Sequence, residues 1–132
     1  MKILAVEDDP VSQKVIYKYL TSVGECTLAD NGKVAVDLFR AALKNGSPFD
    51  LVCLDIMMPE MSGQHVLLAI RDFEKEMGIS PSAGAKIIMT TGLDDAENVV
   101  GAFKNGCEGY ITKPIDKAQL MSEIKKLGLY PG

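Results

Sequence analysis

Two hydrophobic periods alternate along the whole chain, and this alternation restricts the fold more than any other feature. Short apolar runs, typical of buried strands, stand between longer stretches in which apolar residues recur every three or four positions, as on one face of a helix. The short runs are Ile3–Val6, Cys26–Ala29, Leu51–Asp55, Lys86–Thr91 and Gly109–Thr112. Five strands alternating with five helices predict an α/β fold, in which a parallel sheet is covered by helices on both faces.

Cap and turn signals agree with this division. Asp9-Pro10 predicts the start of the first helix, because aspartate is a favoured N-cap and proline suits the first helical position. Asn45-Gly46 and Asn105-Gly106 predict the ends of the second and fourth helices. Segment 78–85, rich in Gly, Ser and Pro, is predicted as an irregular loop.

The length and charge of the chain limit its function. We expect one domain over residues 1–132, with a core at about 2–127 and no output domain unless the chain is part of a longer protein. The net charge of −4 and the isoelectric point of about 4.9 give no electrostatic basis for binding nucleic acid or an anionic membrane. No apolar stretch approaches the ~20 residues of a membrane span and no signal peptide is recognised, so we expect a cytoplasmic protein.

Polar residues stand at the carboxyl ends of four predicted strands, which meet at one edge of an open parallel sheet, where ligands bind. Glu7-Asp8-Asp9 follows the first strand, Asp55 ends the third, and Thr91 and Lys113 stand at the ends of the fourth and fifth. We therefore expect three aspartates, a hydroxyl and an ammonium group at one site.

Taken singly, these residues have simpler explanations. Asp9 could serve only as a helix N-cap, Asp8 as a solvated loop charge, and Lys113 as a surface lysine. Asp55 fits such an explanation least, because it lies within an apolar run, where an unpaired charge costs several kcal/mol. The coincidence of all these residues at corresponding positions favours a functional site.

The charges of this predicted site favour a divalent cation and phosphoryl chemistry. Two carboxylates about 4 Å apart repel by roughly 4 kcal/mol at an effective dielectric near 20, so three of them need a counter-charge. Oxygen ligands suit Mg²⁺, and Mn²⁺ would also fit. No His or Cys is placed for zinc, and neither the G-x-G-x-x-G nor the P-loop pattern is present. A buried Asp55 is explained if it is the nucleophile for a phosphoryl group, with Lys113 and Thr91 contacting that group.

The segments that carry these residues closely resemble the receiver domain of two-component response regulators, most of all its stand-alone chemotaxis-type and phosphorelay-type members. These segments are ILAVEDDP, LVCLDIMMPEMSG, IIMTTG and GYITKPI, in the order and spacing of the family. The resemblance covers essentially the whole chain. It implies a flavodoxin-like, doubly wound, five-stranded parallel sheet with strand order 2-1-3-4-5.

The resemblance also implies the metal site. Asp55 is expected to be the phosphoacceptor, and Asp8 and Asp9 to hold Mg²⁺ together with Asp55. The backbone carbonyl of Met57 is the implied remaining protein ligand. Met57 and Leu93, two residues after Asp55 and Thr91, are apolar, which predicts a long-lived phosphoryl group.

Further implied roles concern the switch. Thr91, rather than Thr90, is the switch hydroxyl, because a small residue follows it and its spacing to Lys113 matches the family. Lys113 contacts the phosphoryl group, and the Lys113-Pro114 bond is cis. Tyr110 is the aromatic switch residue, expected to turn inward when Thr91 moves towards the phosphoryl group.

The resemblance implies partners as well. A histidine kinase or a histidine phosphotransfer protein would donate the phosphoryl group while docked near the first helix. The fourth helix, fifth strand and fifth helix would form the face that binds a downstream target. We expect a monomer, with dimerisation on phosphorylation left open, and no nucleic-acid or membrane partner.

Three functional classes remain to be separated. The leading class is a signalling switch, either a terminal effector or a phosphorelay shuttle, which catalyses only its own phosphorylation and dephosphorylation. A Mg²⁺-dependent aspartyl-phosphate phosphatase would need a second acidic residue shortly after the nucleophile, and Met57 stands two residues after Asp55. A pseudo-receiver without chemistry is disfavoured by the intact set of polar residues.

Overall fold

The computed structural model describes residues 1–92 and 96–129, and it confirms the predicted alternation of strands and helices. The strands are β1 (Lys2–Val6), β2 (Glu25–Ala29), β3 (Leu51–Asp55), β4 (Lys86–Thr91) and β5 (Gly109–Thr112). The helices are α1 (Pro10–Leu20), α2 (Gly32–Lys44), α3 (Gly63–Glu76), α4 (Ala96–Lys104) and α5 (Lys117–Lys126). All five strands are parallel and lie in the order β2-β1-β3-β4-β5, so the expected doubly wound, flavodoxin-like topology is confirmed.

The sheet separates two clusters of buried apolar side chains, because successive residues of a strand point to opposite faces. Leu4 and Val6 of β1 belong to the cluster that also contains buried residues of α2 and α3. Ile3 and Ala5 belong to the cluster packed against α1 and α5. β3 is buried along its whole length, as its continuous apolar run predicts for a central strand.

Two local features bear on the predictions for loops. Asp9 caps α1 by accepting a hydrogen bond from the Ser12 backbone N–H at 2.9 Å, and Pro10 is the first helical residue, as predicted. The loop over segment 78–85 contains one short 3-10 helix, Pro81–Ala83, which the sequence did not predict. Proline at its first position fixes a φ angle compatible with such a turn.

A buried ion-pair network ties α3 to the ends of β4 and β5 that lie away from the predicted site. Arg71 donates to Glu74 at 2.6 Å and to Glu108 at 2.8 Å, and also to the backbone carbonyls of Ala85 and Gly106. The side chain of Glu74 is 4% exposed and accepts the Ala85 backbone N–H at 2.7 Å. The network provides hydrogen-bond partners for backbone groups just before β4 and β5, which the ladders of the sheet do not reach.

Within the described ranges, none of the helices combines the length and the apolar character needed to cross a lipid bilayer.

Candidate functional site

Asp55 lies at the carboxyl end of the central strand β3, with its side chain 3% exposed. Its Oδ2 accepts from the Lys113 ammonium at 3.1 Å, and its Oδ1 accepts from the Met57 backbone N–H at 3.1 Å. The backbone continues into the sheet edge, where the Ile56 N–H donates to the Thr90 carbonyl at 3.0 Å. The carboxylate is therefore held in a fixed position at the edge where the sequence placed it.

The approach of α3 to this strand end requires a glycine. Gly63, the first residue of α3, donates its N–H to the Ile56 carbonyl at 2.9 Å. A Cβ atom at Gly63 would overlap the Asp55 carbonyl oxygen and the Ile56 Cα. The absence of a side chain at position 63 thus allows the helix to pack directly on the backbone of Asp55 and Ile56.

Three carboxylates converge at this edge: Glu7, Asp8 and Asp55 each offer an oxygen within 4.8 Å of the others. Glu7 is 2% exposed, and its Oε2 accepts the Asp8 backbone N–H at 3.0 Å. The alternation of β1 explains its position, because Glu7 follows Ile3 and Ala5 on the face that also carries Cys53. The alternation of β1 is a signal in the sequence that could have identified Glu7 as a site residue.

The structure does not bring Asp9 into the acidic group, so its role as a metal ligand stays a prediction. Among the described residues, the acidic group contains Glu7 in place of Asp9. Asp9 is exposed, and its carboxylate accepts the Ser12 backbone N–H as the cap of α1, an interaction that lowers its pKa. This side chain is turned towards its own helix end, which agrees with the simpler explanation of Asp9 as a helix N-cap.

Lys113 bridges two of the carboxylates. Its Nζ lies 2.6 Å from Glu7 Oε1 and 3.1 Å from Asp55 Oδ2, with the side chain 28% exposed. Its backbone N–H donates to the Thr91 carbonyl at 2.8 Å, and the Lys113-Pro114 peptide bond is cis, as predicted. The ammonium group therefore reaches Asp55 but is shared with Glu7.

The electrostatics of this cluster raise the pKa of Asp55. Burial is the main cause, the hydrogen bond and negative charge of Glu7 add to it, and Lys113 opposes it, so the pKa of Asp55 rises from 3.8 to about 7. For Glu7, burial acts to raise the pKa, but the contacts with Asp55 and Lys113 outweigh it and lower the pKa. Burial also disfavours the charged form of Lys113, yet the two carboxylates raise its pKa. The metal-free site therefore resists holding full negative charge on Asp55.

Thr91 and Tyr110, the predicted switch residues, lie on the neighbouring strands β4 and β5. Thr91 ends β4, is 1% exposed and pairs with Thr112 of β5, while Thr90 pairs with Asp55. Tyr110 is 42% exposed on β5, with its ring edge-on to Phe103 at 6.1 Å between centroids. Tyr110 thus points outward in this conformation, and the inward movement stays a prediction.

Two of the predictions concern the residues two positions after Asp55 and Thr91. The Met57 side chain is 61% exposed, and the role of its carbonyl as a ligand stays a prediction. Leu93 lies outside the described residues.

The donor set fits a hard divalent cation. Glu7, Asp8 and Asp55 supply oxygens only, which suits Mg²⁺ or Mn²⁺. Three carboxylates with one ammonium leave a formal charge of −2, which one divalent cation balances. Burial and then the neighbouring Glu7 raise the pKa of Asp55, and a divalent cation would favour its ionised form.

Comparison with known proteins gives the same family as the sequence motifs. The family model for the response regulator receiver domain matches residues 3–125. The chemotaxis protein CheY of Halobacterium salinarum is 34% identical over 124 residues, which cover 93% of this chain and 92% of that protein. The hybrid signal transduction histidine kinase L of Dictyostelium discoideum is 33% identical over 127 residues.

Several relatives are much longer than this chain. The matched region covers 96% of the chain but 7% of the Dictyostelium kinase. The chain spans 13% of the sensor histidine kinase GacS of Pseudomonas protegens and 50% of the probable transcriptional regulatory protein SilR of Salmonella typhimurium.

Solved structures with the same fold include two receiver domains. The receiver domain of Saccharomyces cerevisiae Ssk1, solved with the histidine phosphotransfer protein Ypd1, has a TM-score of 0.83 and 30% identity, covering 97% of this chain and 88% of that chain. The receiver domain of the Arabidopsis thaliana histidine kinase CKI1, complexed with Mg²⁺ and BeF3⁻, has a TM-score of 0.79 and 29% identity, covering 96% and 89%. The sequence, the fold and the acidic edge agree with these matches, and the chain belongs to the response regulator receiver domains of two-component signalling.

Proposed function

We propose that this chain is a phosphoryl-accepting signalling switch, in which Asp55 takes a phosphoryl group from a phosphohistidine in a Mg²⁺-dependent reaction. The observation that carries the proposal is the position of Asp55, which is buried at a sheet edge, in contact with Lys113 and grouped with Glu7 and Asp8. A carboxylate with these neighbours is poorly explained as a structural charge, since its ionised form is disfavoured without a cation.

The residues of the site have distinct roles in this reaction. A carboxylate oxygen of Asp55 attacks phosphorus while the bond from phosphorus to the donor histidine nitrogen breaks, and the electron pair stays on the imidazole. Glu7, Asp8 and Asp55, with the Met57 carbonyl, would hold Mg²⁺, which when bound supplies positive charge against the carboxylates and the phosphoryl oxygens. Lys113 leaves its shared position between Glu7 and Asp55 to contact a phosphoryl oxygen. Thr91 donates its hydroxyl to another of these oxygens.

The α1 surface is the proposed docking site of the phosphoryl donor. A surface depression of about 250 Å³ opens beside Lys113, between α1 and the start of the segment that leads into α5. It is lined by Val11, Val15, Tyr19, Pro114 and Ile115, and Val11 is 70% exposed. Such an apolar surface next to the nucleophile suits a helical histidine phosphotransfer protein, the type of partner with which the receiver domain of Ssk1 was solved.

The face formed by α4, β5 and α5 is the proposed output surface. Val100, Phe103 and Tyr110 are 56%, 46% and 42% exposed there. Movement of Thr91 towards the phosphoryl group would open space for Tyr110 and change this apolar face. Phosphorylation would then shift an existing equilibrium towards the conformation that a downstream protein binds.

We propose further that the chain turns over no external substrate, and that it catalyses only its own phosphorylation and dephosphorylation. Met57, rather than an acidic residue, stands two positions after Asp55, so the general acid expected of an aspartyl-phosphate phosphatase is missing from that position. An intact acidic group with Lys113 and Thr91 also disfavours a pseudo-receiver.

The decisive experiment exposes the purified protein to acetyl phosphate and Mg²⁺ and measures the intact mass. A single labile phosphoryl adduct is expected in the wild type and in the exposed-surface control Asp37→Asn, and none in Asp55→Asn. Beryllofluoride with Mg²⁺ should shift the amide resonances of Thr91 and Tyr110. An adduct that persists in Asp55→Asn would refute the assignment, and size-exclusion chromatography of the same samples would report dimerisation.

A second measurement separates the shuttle from the terminal effector. The phosphorylated chain is mixed with an unphosphorylated histidine phosphotransfer domain, and the phosphoryl group is followed by mass. Rapid transfer from Asp55 to histidine would identify a phosphorelay shuttle. Retention of the group on Asp55 would identify a terminal effector.

The revised ligand set gives its own test. We expect Glu7→Gln to weaken Mg²⁺ binding at least tenfold, because it removes one charged ligand from the acidic group. Asp9→Asn should change Mg²⁺ binding less than twofold, since asparagine also caps helices. Calorimetric titration of both variants decides the question, and equal losses of affinity would restore Asp9 to the site.

A further inference from the structure

Gln13 connects α1 to the acidic residue Glu7. Its side-chain Nε2 donates to the Glu7 backbone carbonyl oxygen at 2.6 Å, a short hydrogen bond. Gln13 lies in the first turn and a half of α1 and is partly buried. Neither the α1 capping interaction nor the ion pairs of the site involve this carboxamide, so its contact with Glu7 calls for a separate explanation.

The contact supplies a partner that the sheet does not. The registers of β1 with β2 and with β3 both end at Val6, one residue before Glu7. The Glu7 N–H still donates to Ala29 of β2 at 3.0 Å, while its carbonyl accepts from Gln13. Gln13 therefore gives the Glu7 carbonyl a hydrogen-bond partner beyond the end of the strand ladder.

The peptide unit between Glu7 and Asp8 contacts both Gln13, through its carbonyl oxygen, and the Glu7 carboxylate, through its N–H. The Oε2 of Glu7 accepts the Asp8 N–H at 3.0 Å and its Oε1 lies 2.6 Å from Lys113, so this carboxylate has a defined orientation within the acidic group. Rotation of the Glu7 peptide would move the carboxylate away from Asp8 and Asp55 together. A divalent cation needs all three oxygens close to each other, so its affinity depends on this rotation being prevented.

We propose that Gln13 is a positioning residue for the divalent-cation site, acting through Glu7, and that it links the α1 surface to that site. The proposal rests on the proposed function, in which Glu7, Asp8 and Asp55 hold Mg²⁺. Gln13 lies between Val11 and Val15, which line the depression beside Lys113. A protein docked on α1 would therefore contact the turn of helix that holds Glu7, and cation binding and docking would influence each other.

Gln13→Met tests the proposal, because methionine has nearly the same length and helix propensity but no N–H donor. Gln119→Met is the matched control, with the same substitution in the first turn of α5, at an exposed side chain after the N-cap Asp116. The Mg²⁺ dissociation constant is measured by calorimetric titration, and the thermal midpoint is measured without metal.

We expect the dissociation constant of Gln13→Met to rise about 3- to 10-fold, the range that one lost hydrogen bond gives. Gln119→Met should bind as the wild type does, and the metal-free thermal midpoints of both variants should fall within a few degrees of the wild type. Mg²⁺-induced amide shifts at Val11 and Val15 should also shrink in Gln13→Met but not in the control. A purely structural role of Gln13 would lower the midpoint and leave the cation affinity unchanged.

The positioning role is overturned if Gln13→Met binds Mg²⁺ with unchanged affinity, while the wild type binds Mg²⁺ normally and Asp55→Asn binds it weakly. That result leaves the proposed function intact. A wild type that binds no Mg²⁺ overturns both. If Gln13→Met does not fold, Gln13→Ala removes the same donor without adding a long apolar side chain. Its Mg²⁺ dissociation constant is again expected to rise at least about threefold.

Discussion

Replacing Asp55 by asparagine should stabilise the metal-free protein. The substitution keeps the size of a buried side chain and removes a charge that its surroundings disfavour. Asparagine can still donate a hydrogen bond to Glu7, and Lys113 keeps its contact with Glu7 at 2.6 Å. We therefore expect a gain in the free energy of unfolding from a variant that, under the proposed function, cannot be phosphorylated at position 55.

The magnitude follows from the pKa of Asp55. A rise from 3.8 to about 7 in the folded state corresponds to about 4 kcal/mol, at ~1.4 kcal/mol for each pKa unit. The pKa of Glu7 moves in the opposite direction and offsets part of this energy. Solvent that reaches the site beside Lys113, whose side chain is 28% exposed, screens the repulsion between Glu7 and Asp55 and reduces this energy further. We expect a net gain of about 1–3 kcal/mol at pH 8.

The pH dependence has a definite sign. Below about pH 4, Asp55 is protonated in the folded and the unfolded chain, so the variant and the wild type should differ little. Between pH 4 and 7 the unfolded chain loses this proton first, and wild-type stability falls as the pH rises. The advantage of Asp55→Asn should therefore grow over this window and level off above about pH 7.

The free energy of unfolding is measured by urea denaturation in the presence of a chelator, at several pH values from 5.5 to 8. Unfolding is followed by far-ultraviolet circular dichroism. Asp37→Asn removes a charge from the exposed face of α2 and should change stability by less than about 0.5 kcal/mol at every pH. Added Mg²⁺ should stabilise the wild type more than Asp55→Asn, and so narrow or reverse the gap. A variant no more stable than the wild type at pH 8 without metal would refute the crowded-carboxylate explanation.

Two further predictions concern packing away from the carboxylates. Arg71→Met should lower the free energy of unfolding by about 3–5 kcal/mol, because it leaves the buried Glu74 without its ion-pair partner. The control Lys126→Met, at a 69% exposed lysine, should cost less than about 1 kcal/mol in the same urea titration, and equal effects would contradict the role of burial. Gly63→Ala should cost at least about 1–3 kcal/mol and slow adduct formation, since its Cβ would overlap the backbone next to the phosphoacceptor. Gly101→Ala in α4, where a Cβ meets only an ordinary contact at 3.5 Å, should be neutral or stabilising, and a harmless Gly63→Ala would disprove the need for close approach.

Much of the fold could be predicted from hydrophobic periodicity. β3, β4 and β5 begin and end where the apolar runs do, and the Asp9-Pro10 pair begins α1 as the cap signal predicts. These features depend on neighbouring residues, so their signals lie within a few positions of each other in the chain. The 3-10 helix Pro81–Ala83 was missed because a Gly, Ser and Pro-rich loop gives no periodic signal.

Long-range contacts could not be predicted in this way. Arg71 meets Gly106 and Glu108 across 35 and 37 residues, and nothing in the local pattern of α3 indicates these partners. The need for glycine at position 63 is of the same kind, since it depends on the backbone of β3 lying against the start of α3.

The candidate site, too, was predictable only in part. The sequence by itself determined that a carboxylate ends the central strand, that Thr91 ends the adjacent strand β4 and that Lys113 follows β5, because strand ends in a parallel sheet share one edge. Only the tertiary structure decided which two of the three consecutive acidic residues, Glu7, Asp8 and Asp9, lie beside Asp55. Glu7 continues the alternation of β1 into the site, whereas Asp9 turns back to cap its helix, and this choice depends on the direction in which the chain leaves the strand.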